Sequence, residues 1–249
     1  MKRSLMSFVI IGLLVGPGAV IAQEAPPLQM TVYYTCDQNR ETIADLIRQE
    51  VAAPILDRHV EAGDLLNHGW IMHRVGGAWR RAEFMTSPDI TTLLATRAAI
   101  RQEIQATNPA ALAEMTDICP THDDYIWTRV TGSPPGGVTP GPRPARMSQY
   151  FSCDASRETR ADELFTETLG PIYNRHVADG ALGGWAFNAH VVGGEYRRFL
   201  TMAAEDAPSL YTHWAAALAD IREEAPEALE EFASICSSHT DYQWAHMVP

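Results

Sequence analysis

The sequence predicts an α+β protein built from two tandem β-α-β-β-α-β units. Three observations support this: an internal repeat, strand-like and helical patterns that alternate within each copy, and a proline- and glycine-rich segment between the copies. Residues 30–130 align with residues 147–247 at a constant offset and without a gap, and about 40 of the 101 aligned positions are identical. Such a match indicates duplication of a unit of ordinary domain size.

The segment between the copies predicts the domain boundaries. Residues 131–146 contain five prolines and four glycines, a composition that opposes helix and sheet formation and is typical of a semi-rigid linker. We therefore place the first copy at 28–130, the linker at 131–146 and the second copy at 147–249.

The N-terminal residues 1–22 have the pattern of a secretory signal peptide. Lys2 and Arg3 precede the apolar run Leu5–Val15, and small residues lead to a cleavage point after Ala22. An uncleaved membrane anchor is the alternative, but the segment is barely long enough to span a bilayer. We expect an exported protein, either periplasmic or secreted.

The charge of the chain excludes some classes of partner. It contains 19 lysines and arginines against 31 aspartates and glutamates, a formal net charge of −12. Such a surface repels phosphate backbones and anionic head groups. We expect no nucleic-acid partner and, once the leader is removed, no membrane partner.

Each copy begins with a strand and a broken helix. In the first copy, Met30–Thr35 is β-rich, and apolar side chains then recur at helical spacing from Arg40 to Gly63. Pro54 lies inside this region and should kink or divide the helix.

A hairpin and a helical region complete the copy. Gly69–Val75 and Ala78–Met85 are joined by Gly76-Gly77, a dipeptide suited to a tight turn. Ser87-Pro88-Asp89 predicts a helix start with a cap residue followed by an N1 proline. Two further segments are predicted: a short helix that starts at Asn108-Pro109, and a final strand at Tyr125–Val130.

This order most simply folds as a ferredoxin-like sandwich, an antiparallel sheet with helices on one face. The first and last strands are then neighbours, which brings Cys36 close to Cys119 and, in the second copy, Cys153 close to Cys236. We predict these two disulfides. A metal site built from Cys36, Cys119 and His122 is the alternative, although an oxidising compartment favours disulfides.

Alternation along the strands predicts which side chains point away from the helices. Tyr33, Tyr150, Asn188, His73 and His190 share the more polar face. This face is too apolar to be simply solvated, so we expect the two sheets to pack face to face around a cavity. The protein would then be a monomeric pseudo-dimer.

The element order, together with the run PIYNRHVADG at 171–180 ahead of a Trp-containing strand, resembles the dimeric α/β-barrel superfamily and, within it, the NIPSNAP-type members. The resemblance covers each copy nearly end to end, and it implies a pseudo-dimeric α/β barrel with a cavity between the sheets. The superfamily includes cofactor-free oxygenases, haem-degrading and haem-using enzymes, isomerase-like proteins and many members of unknown role. Secretion and disulfides depart from its common cytoplasmic pattern.

Candidate site residues follow from the side of the sheet on which they lie. His73 and His190 are the candidate catalytic residues, because imidazole can act as acid, base or axial ligand. The candidate ligand-binding residues are Tyr33, Tyr150, Asn188, Arg80, Arg81, Arg197 and Arg198. Adjacent arginines on a strand face opposite sides, so one of each pair must point to a buried face. There it would meet either a ligand or a carboxylate such as Asp37 or Glu41.

The sequence predicts function only as a class. The first hypothesis is an exported module that binds a small, partly apolar ligand in the inter-sheet cavity or acts through protein contacts. The alternative is an enzyme of the cofactor-free oxygenase or isomerase kind, with His73 or His190 as base and an arginine beside an anionic intermediate. Haem binding through one of these histidines is a further alternative. We predict no cofactor and no metal.

Overall fold

The structure is a computed structural model, which describes residues 26–133 and 144–246. The first half of the chain contains four strands and two helical regions. The strands are β1 (Leu28–Thr35), β2 (Asn67–Val75), β3 (Arg81–Ser87) and β4 (Thr121–Gly132). The helices are α1 (Glu41–Ile47), α2 (Ala53–Glu61), α3 (Ile90–Thr107) and α4 (Pro109–Ile118), with a π-helical turn at Arg48–Ala52.

The second half repeats this order, as the duplication predicts. Its strands are β5 (Ala145–Ser152), β6 (Gly184–Val192), β7 (Arg198–Ala204) and β8 (Ser238–His246). Its helices are α5 (Glu158–Leu164), α6 (Gly170–Ala178), α7 (Ala207–Glu224) and α8 (Pro226–Ile235). A 3₁₀ turn at Ala155–Arg157 precedes α5, and a π-helical turn at Phe165–Leu169 follows it.

Proline divides the first helical region of each half, as predicted for Pro54. Pro54 lies in the first turn of α2, where a missing N–H breaks no intrahelical hydrogen bond. The chain reaches it through the π-helical turn Arg48–Ala52, which widens the helix locally. Pro171 has the same position in α6.

The start of α3 differs from the prediction. Ser87 ends β3, and its hydroxyl donates to the Asp64 carbonyl rather than capping the helix. Asp89 is the cap, because its carboxylate accepts a hydrogen bond from the Thr92 N–H at 2.9 Å. The prediction of a cap ahead of Pro88 was therefore wrong. An aspartate has the same role at α7, where Asp206 accepts from the Ser209 N–H.

Eight strands of the described residues form one closed antiparallel barrel, in the order β1-β3-β2-β8-β5-β7-β6-β4. Within each half the first strand lies between the third and the fourth. The halves join edge to edge, where β2 pairs with β8 and β4 with β6. The α+β class and the barrel are confirmed, but the two sheets are hydrogen-bonded into one surface rather than stacked. That each half is a separate ferredoxin-like domain stays a prediction.

The predicted glycine hairpins lie against these seams between the halves. Gly76 has a φ of 134°, and a Cβ there would be 2.5 Å from the carbonyl oxygen of Asp241 in the other half. Gly193 has a φ of 146°, and a Cβ there would be 2.8 Å from the carbonyl oxygen of Asp124. Only glycine allows each hairpin this close approach.

The hydrophobic core has two layers. The outer layer lies between helices and strands and contains Phe165, Phe187 and Leu210 in the second half. The inner layer lies within the barrel, where Trp127 and Trp244 are fully buried. The predicted face assignment holds, because the side chains opposite the helices line the barrel interior.

Both predicted disulfides are present. Cys36 is bonded to Cys119 and Cys153 to Cys236, with Cα–Cα distances of 4.0 and 3.9 Å. Each joins the end of a half's first strand to the start of its last, which are antiparallel neighbours. The alternative metal site at Cys36, Cys119 and His122 is wrong because both sulfurs are bonded to each other. Among the described residues no other group of three metal-ligating side chains is found.

The predicted linker is shorter than its composition indicates. β4 continues to Gly132, which pairs with Ala186 of β6, and β5 begins at Ala145. Arg146 therefore belongs to a barrel strand and not to the linker. Residues 134–143 lie outside the described residues, so the rest of the linker prediction is not tested.

The predicted signal peptide also lies outside the described residues, and export stays a prediction. The two disulfides are typical of a non-reducing environment. No helix within 26–133 or 144–246 has the length and apolar character needed to cross a membrane.

Removal of a disulfide is expected to destabilise the barrel substantially. Replacing Cys153 and Cys236 together by alanine releases a loop with a sequence separation of 83, so the free energy of unfolding should fall by about 4 kcal/mol in the chain-entropy model. Urea unfolding under non-reducing conditions measures this loss. The matched variant Cys36→Ala/Cys119→Ala, with the same separation, should lose a similar amount. A loss below about 1 kcal/mol in both would contradict the account.

Candidate functional site

One end of the barrel is closed by packed aromatic rings. Trp79 stacks on Tyr33 with ring centroids 4.1 Å apart and on Tyr242 at 5.0 Å. Tyr125 of β4 and Tyr196 of the second half contact Trp79 edge-on at the same end. Little space is left there for a ligand.

The other end of the barrel contains a cavity of about 410 Å³, which is within the usual range for small-molecule sites. Its aromatic walls are Tyr33, Phe84, Tyr150 and Phe199. Its uncharged polar lining includes Gln29, Thr31, Thr86, Ser148, Asn188 and Thr201. Apolar walls with several polar groups suit a partly apolar molecule.

Arg146 brings a positive charge to this cavity. Its Nε is fully buried and has no hydrogen-bond partner among the described residues. The described lining contains no aspartate or glutamate. Burial lowers the pKa of the Arg146 guanidinium below its ordinary value, because removal from water disfavours the charged form.

Three of the predicted ligand-binding residues line this cavity. Tyr33, Tyr150 and Asn188 all contribute to it, and their roles stay predictions. Burial raises the pKa of both tyrosine hydroxyls well above the ordinary range, so both remain protonated. Asn188 donates a hydrogen bond to the Phe199 carbonyl at 3.2 Å.

The two candidate catalytic histidines do not line the cavity. His73 and His190 lie at the seams, beside Trp244 and Trp127 of the neighbouring strands. The Nδ1 of His73 is 2.8 Å from a guanidinium nitrogen of Arg80. Because arginine can only donate, Nδ1 is an acceptor and the ring is neutral with its proton on Nε2. His190 repeats this arrangement in the second half.

This geometry does not favour the histidines as a base or as a haem ligand. Their Nδ1 lone pairs are already engaged, and the Nε2 atoms of His73 and His190 are buried away from solvent. A haem ligand needs an accessible nitrogen facing a space for the porphyrin, and the residues at this place do not fit that group. The catalytic role of these residues stays a prediction.

The predicted arginine pairs are bound by carboxylates rather than facing the cavity. Arg81 forms a two-point ion pair with Asp45 at 2.6 and 2.8 Å and also contacts Glu41 at 2.9 Å. Arg80 pairs with Glu41 as well. Of the two carboxylates predicted from the sequence, Glu41 binds both arginines, whereas Asp37 forms no ion pair with either.

The second half repeats this cluster. Arg198 pairs with Asp162 at 2.6 Å and with Glu158 at 3.1 Å, and Arg197 pairs with Glu158. Each cluster ties the third strand of a half to its first helix. Ion pairs of this kind stabilise the fold, and the ligand-binding role of these four arginines stays a prediction.

The first half has a second open region, between α2 and β2. This cleft has a volume of about 540 Å³. Arg48 at its base is bound to Glu83 at 2.8 Å and to the Nδ1 of His68 at 2.9 Å. His68 in turn contacts Asp57 at 2.8 Å. The cleft is larger than the barrel cavity, but these charged groups already have partners.

The equivalent space of the second half is filled. Phe165 and Leu200 occupy the positions of Arg48 and Glu83, and Phe165 stacks on Phe187 with centroids 3.8 Å apart. At this place the first half therefore has a polar network and the second half has apolar packing.

The fold is similar to those of several known structures. A protein named anthrone oxidase-like superimposes with a TM-score of 0.59 at 10% identity, over 91% of this chain and 93% of that one. A protein from Lactobacillus acidophilus NCFM, provisionally assigned as a monooxygenase, gives 0.57 at 8% identity over 89% and 94%. A chlorite dismutase variant from Candidatus Nitrospira defluvii gives 0.56 at 7% identity over 91% and 93%.

This chain is similar to dimeric α/β-barrel proteins. At these identities the likeness shows the fold alone. No family model matches the sequence, and no curated protein matches it. The resemblance noted from the sequence is confirmed at the level of the dimeric α/β barrel, and the NIPSNAP-type assignment is not.

Several cavity residues were not predicted from the sequence, and Arg146 is the charged one among them. The prolines and glycines that precede it predict a linker at this position. β5 begins at Ala145, and every second residue of a strand lies on the same face. Counting back from Tyr150 through Ser148 therefore places Arg146 on the cavity face, so a strand predicted to start two residues earlier would have included it.

The neutral histidines predict a pH dependence of stability. Burial and then the neighbouring arginine lower the pKa of His73 and of His190 below the ordinary 6.5. The unfolded chain therefore binds more protons below about pH 6.5, and stability falls as the pH drops. We expect His73→Gln/His190→Gln to lose less stability than the wild type between about pH 7.5 and about pH 5 in urea unfolding. Equal losses in both proteins would contradict this assignment.

The polar network of the first half can be replaced with the residues of the second. Arg48→Phe/Glu83→Leu is expected to raise the free energy of unfolding by about 1–3 kcal/mol, because a buried ion pair is exchanged for apolar packing. Arg48→Phe alone should lower it by about 3–5 kcal/mol, since Glu83 loses its partner. Chemical denaturation of both variants measures this. A double variant less stable than the single one would contradict the prediction.

Proposed function

We propose that this protein binds a small, partly apolar ligand in the barrel cavity. The observation that carries the proposal is a cavity of about 410 Å³ with aromatic walls, uncharged polar groups and one arginine without a partner among the described residues. A structural core of this size would be expected to be filled and to satisfy its charges. The volume of the cavity, and the Arg146 Nε without a hydrogen-bond partner in the part of the chain that the structure describes, both support a binding role.

An enzyme of the oxygenase or isomerase kind is the second candidate. It is supported by fold neighbours described as an anthrone oxidase-like protein and a provisional monooxygenase. Against it, His73 and His190 are engaged by arginines and lie outside the cavity. Oxygen consumption by the protein in the presence of anthrone separates the two. Consumption that depends on an open cavity favours the enzyme, and its absence favours simple binding.

Three further features complete the proposal. The protein is exported, it acts as a single-chain pseudo-dimer, and it belongs to the NIPSNAP-type branch of the superfamily. The disulfides support the first and the edge-to-edge joining of the two halves supports the second. The third rests on the sequence resemblance alone.

A cavity-filling variant tests the binding function. We expect the neutral probe 2-naphthamide to raise the melting temperature of the wild type, because a ligand that binds only the folded state stabilises it. Ala186 lines the cavity, so Ala186→Trp should abolish the shift. Val192→Trp places the same side chain at an exposed position of the same strand and should leave the shift intact. An undiminished shift in Ala186→Trp would contradict the proposed site.

A further inference from the structure

Arg146 is an unusual residue for a barrel interior. It lies on β5, opposite Trp244 of β8 and Ala203 of β7. Among the described residues it forms no ion pair and no hydrogen bond through its Nε. Burying the Nε of a guanidinium without a hydrogen-bond acceptor is costly, so the lack of a partner for Arg146 among the described residues calls for a physical reason.

The two halves differ at the position of Arg146. The position equivalent to Arg146 in the first half is Gln29, which lines the same cavity. An uncharged side chain thus serves at the equivalent place in the barrel. The charge is a specific difference between two otherwise similar copies.

Arg146 is not the sole buried donor on its face of the barrel that lacks a partner among the described residues. The Nε1 of Trp244, which lies opposite Arg146 on β8 but does not line the cavity, is also buried without a partner among the described residues. Both an arginine Nε and an indole Nε1 can only donate hydrogen bonds. The Arg146 guanidinium therefore offers the cavity N–H donors only, which an anionic oxygen would complement.

We infer that the ligand of the barrel cavity carries a carboxylate, which Arg146 binds. This inference rests on the proposed binding function and adds the chemical class of the ligand. A guanidinium presents parallel N–H donors that match the two oxygens of a carboxylate. The chain as a whole is acidic, with a net charge of −12, so a local cation is needed to attract an anion.

The walls define the rest of the ligand. Tyr33, Phe84, Tyr150 and Phe199 supply aromatic surface, which packs well against a flat apolar body. Gln29 at the position equivalent to Arg146 offers an amide instead of a charge. The ligand is therefore a small monocarboxylate with an apolar, ring-like body, bound in one orientation although the barrel is pseudo-symmetric.

A matched pair of probes tests the inference. 2-Naphthoate and 2-naphthamide have the same ring system, but only the first carries a charge. We expect calorimetric titration of the wild type at fixed ionic strength to show 2-naphthoate binding at least about tenfold tighter. Arg146→Gln, which introduces the residue found at position 29, should abolish this preference and retain 2-naphthamide binding. Arg74 is exposed, so Arg74→Gln makes the same change in net charge and should keep the preference.

Folding of the variant is checked independently. Arg146→Gln removes a cation that has no counter-charge in 26–133 or 144–246, so the melting temperature of the variant without ligand should rise, by about 2–4 °C. A marked fall would show that Arg146 is a structural residue and would overturn the inference.

The outcomes separate the inference from the function on which it rests. Equal binding of both probes, unchanged in Arg146→Gln, would overturn the carboxylate and leave the cavity as a binding site. Binding of neither probe to the wild type would overturn the proposed function together with the inference. A preference for 2-naphthoate that persists in Arg146→Gln would place the anion elsewhere and also overturn it.

Discussion

Backbone hydrogen bonding between the two halves is the constraint on which the rest of this structure depends. Each half alone would expose two strand edges and an uncovered, largely apolar sheet face. Pairing of β2 with β8 and of β4 with β6 removes all four edges at once and encloses both faces. The interior cavity exists only because the sheet closes, and the glycine hairpins at Gly76 and Gly193 allow that closure.

Duplication supplies a symmetric scaffold, and a few substitutions make it asymmetric. The disulfides, the arginine–carboxylate clusters and the neutral histidines occur in both halves, which is expected of groups that hold the fold. Arg146 against Gln29, and Arg48 against Phe165, are differences that stability alone does not require. Charges that appear in one copy and lack a counterpart in the other are the natural place to look for function.

Local pattern predicted much of the fold and part of the site. Strand alternation placed Tyr33, Tyr150 and Asn188 on the face that lines the cavity. Successive side chains of a strand point to opposite faces whatever the sheet packs against, so this prediction did not need the tertiary structure. The closed seam could not be predicted in detail, because edge pairing depends on the relative placement of the copies. Arg146 was missed because Pro144 and its neighbours indicate a linker, while barrel closure extends β5 to Ala145. Pairing of β5 with β8 thus decided the structure at Arg146, against the linker-like composition of the residues before it.

Amide hydrogen exchange at the seams tests the closed barrel most directly. We expect the backbone amides that pair across the seams, between β2 and β8 and between β4 and β6, to be protected as strongly as amides paired within one half, such as those between β1 and β3. Rapid exchange confined to the seam strands would show that the halves are separate sheets with open edges. The enclosed cavity would then be absent.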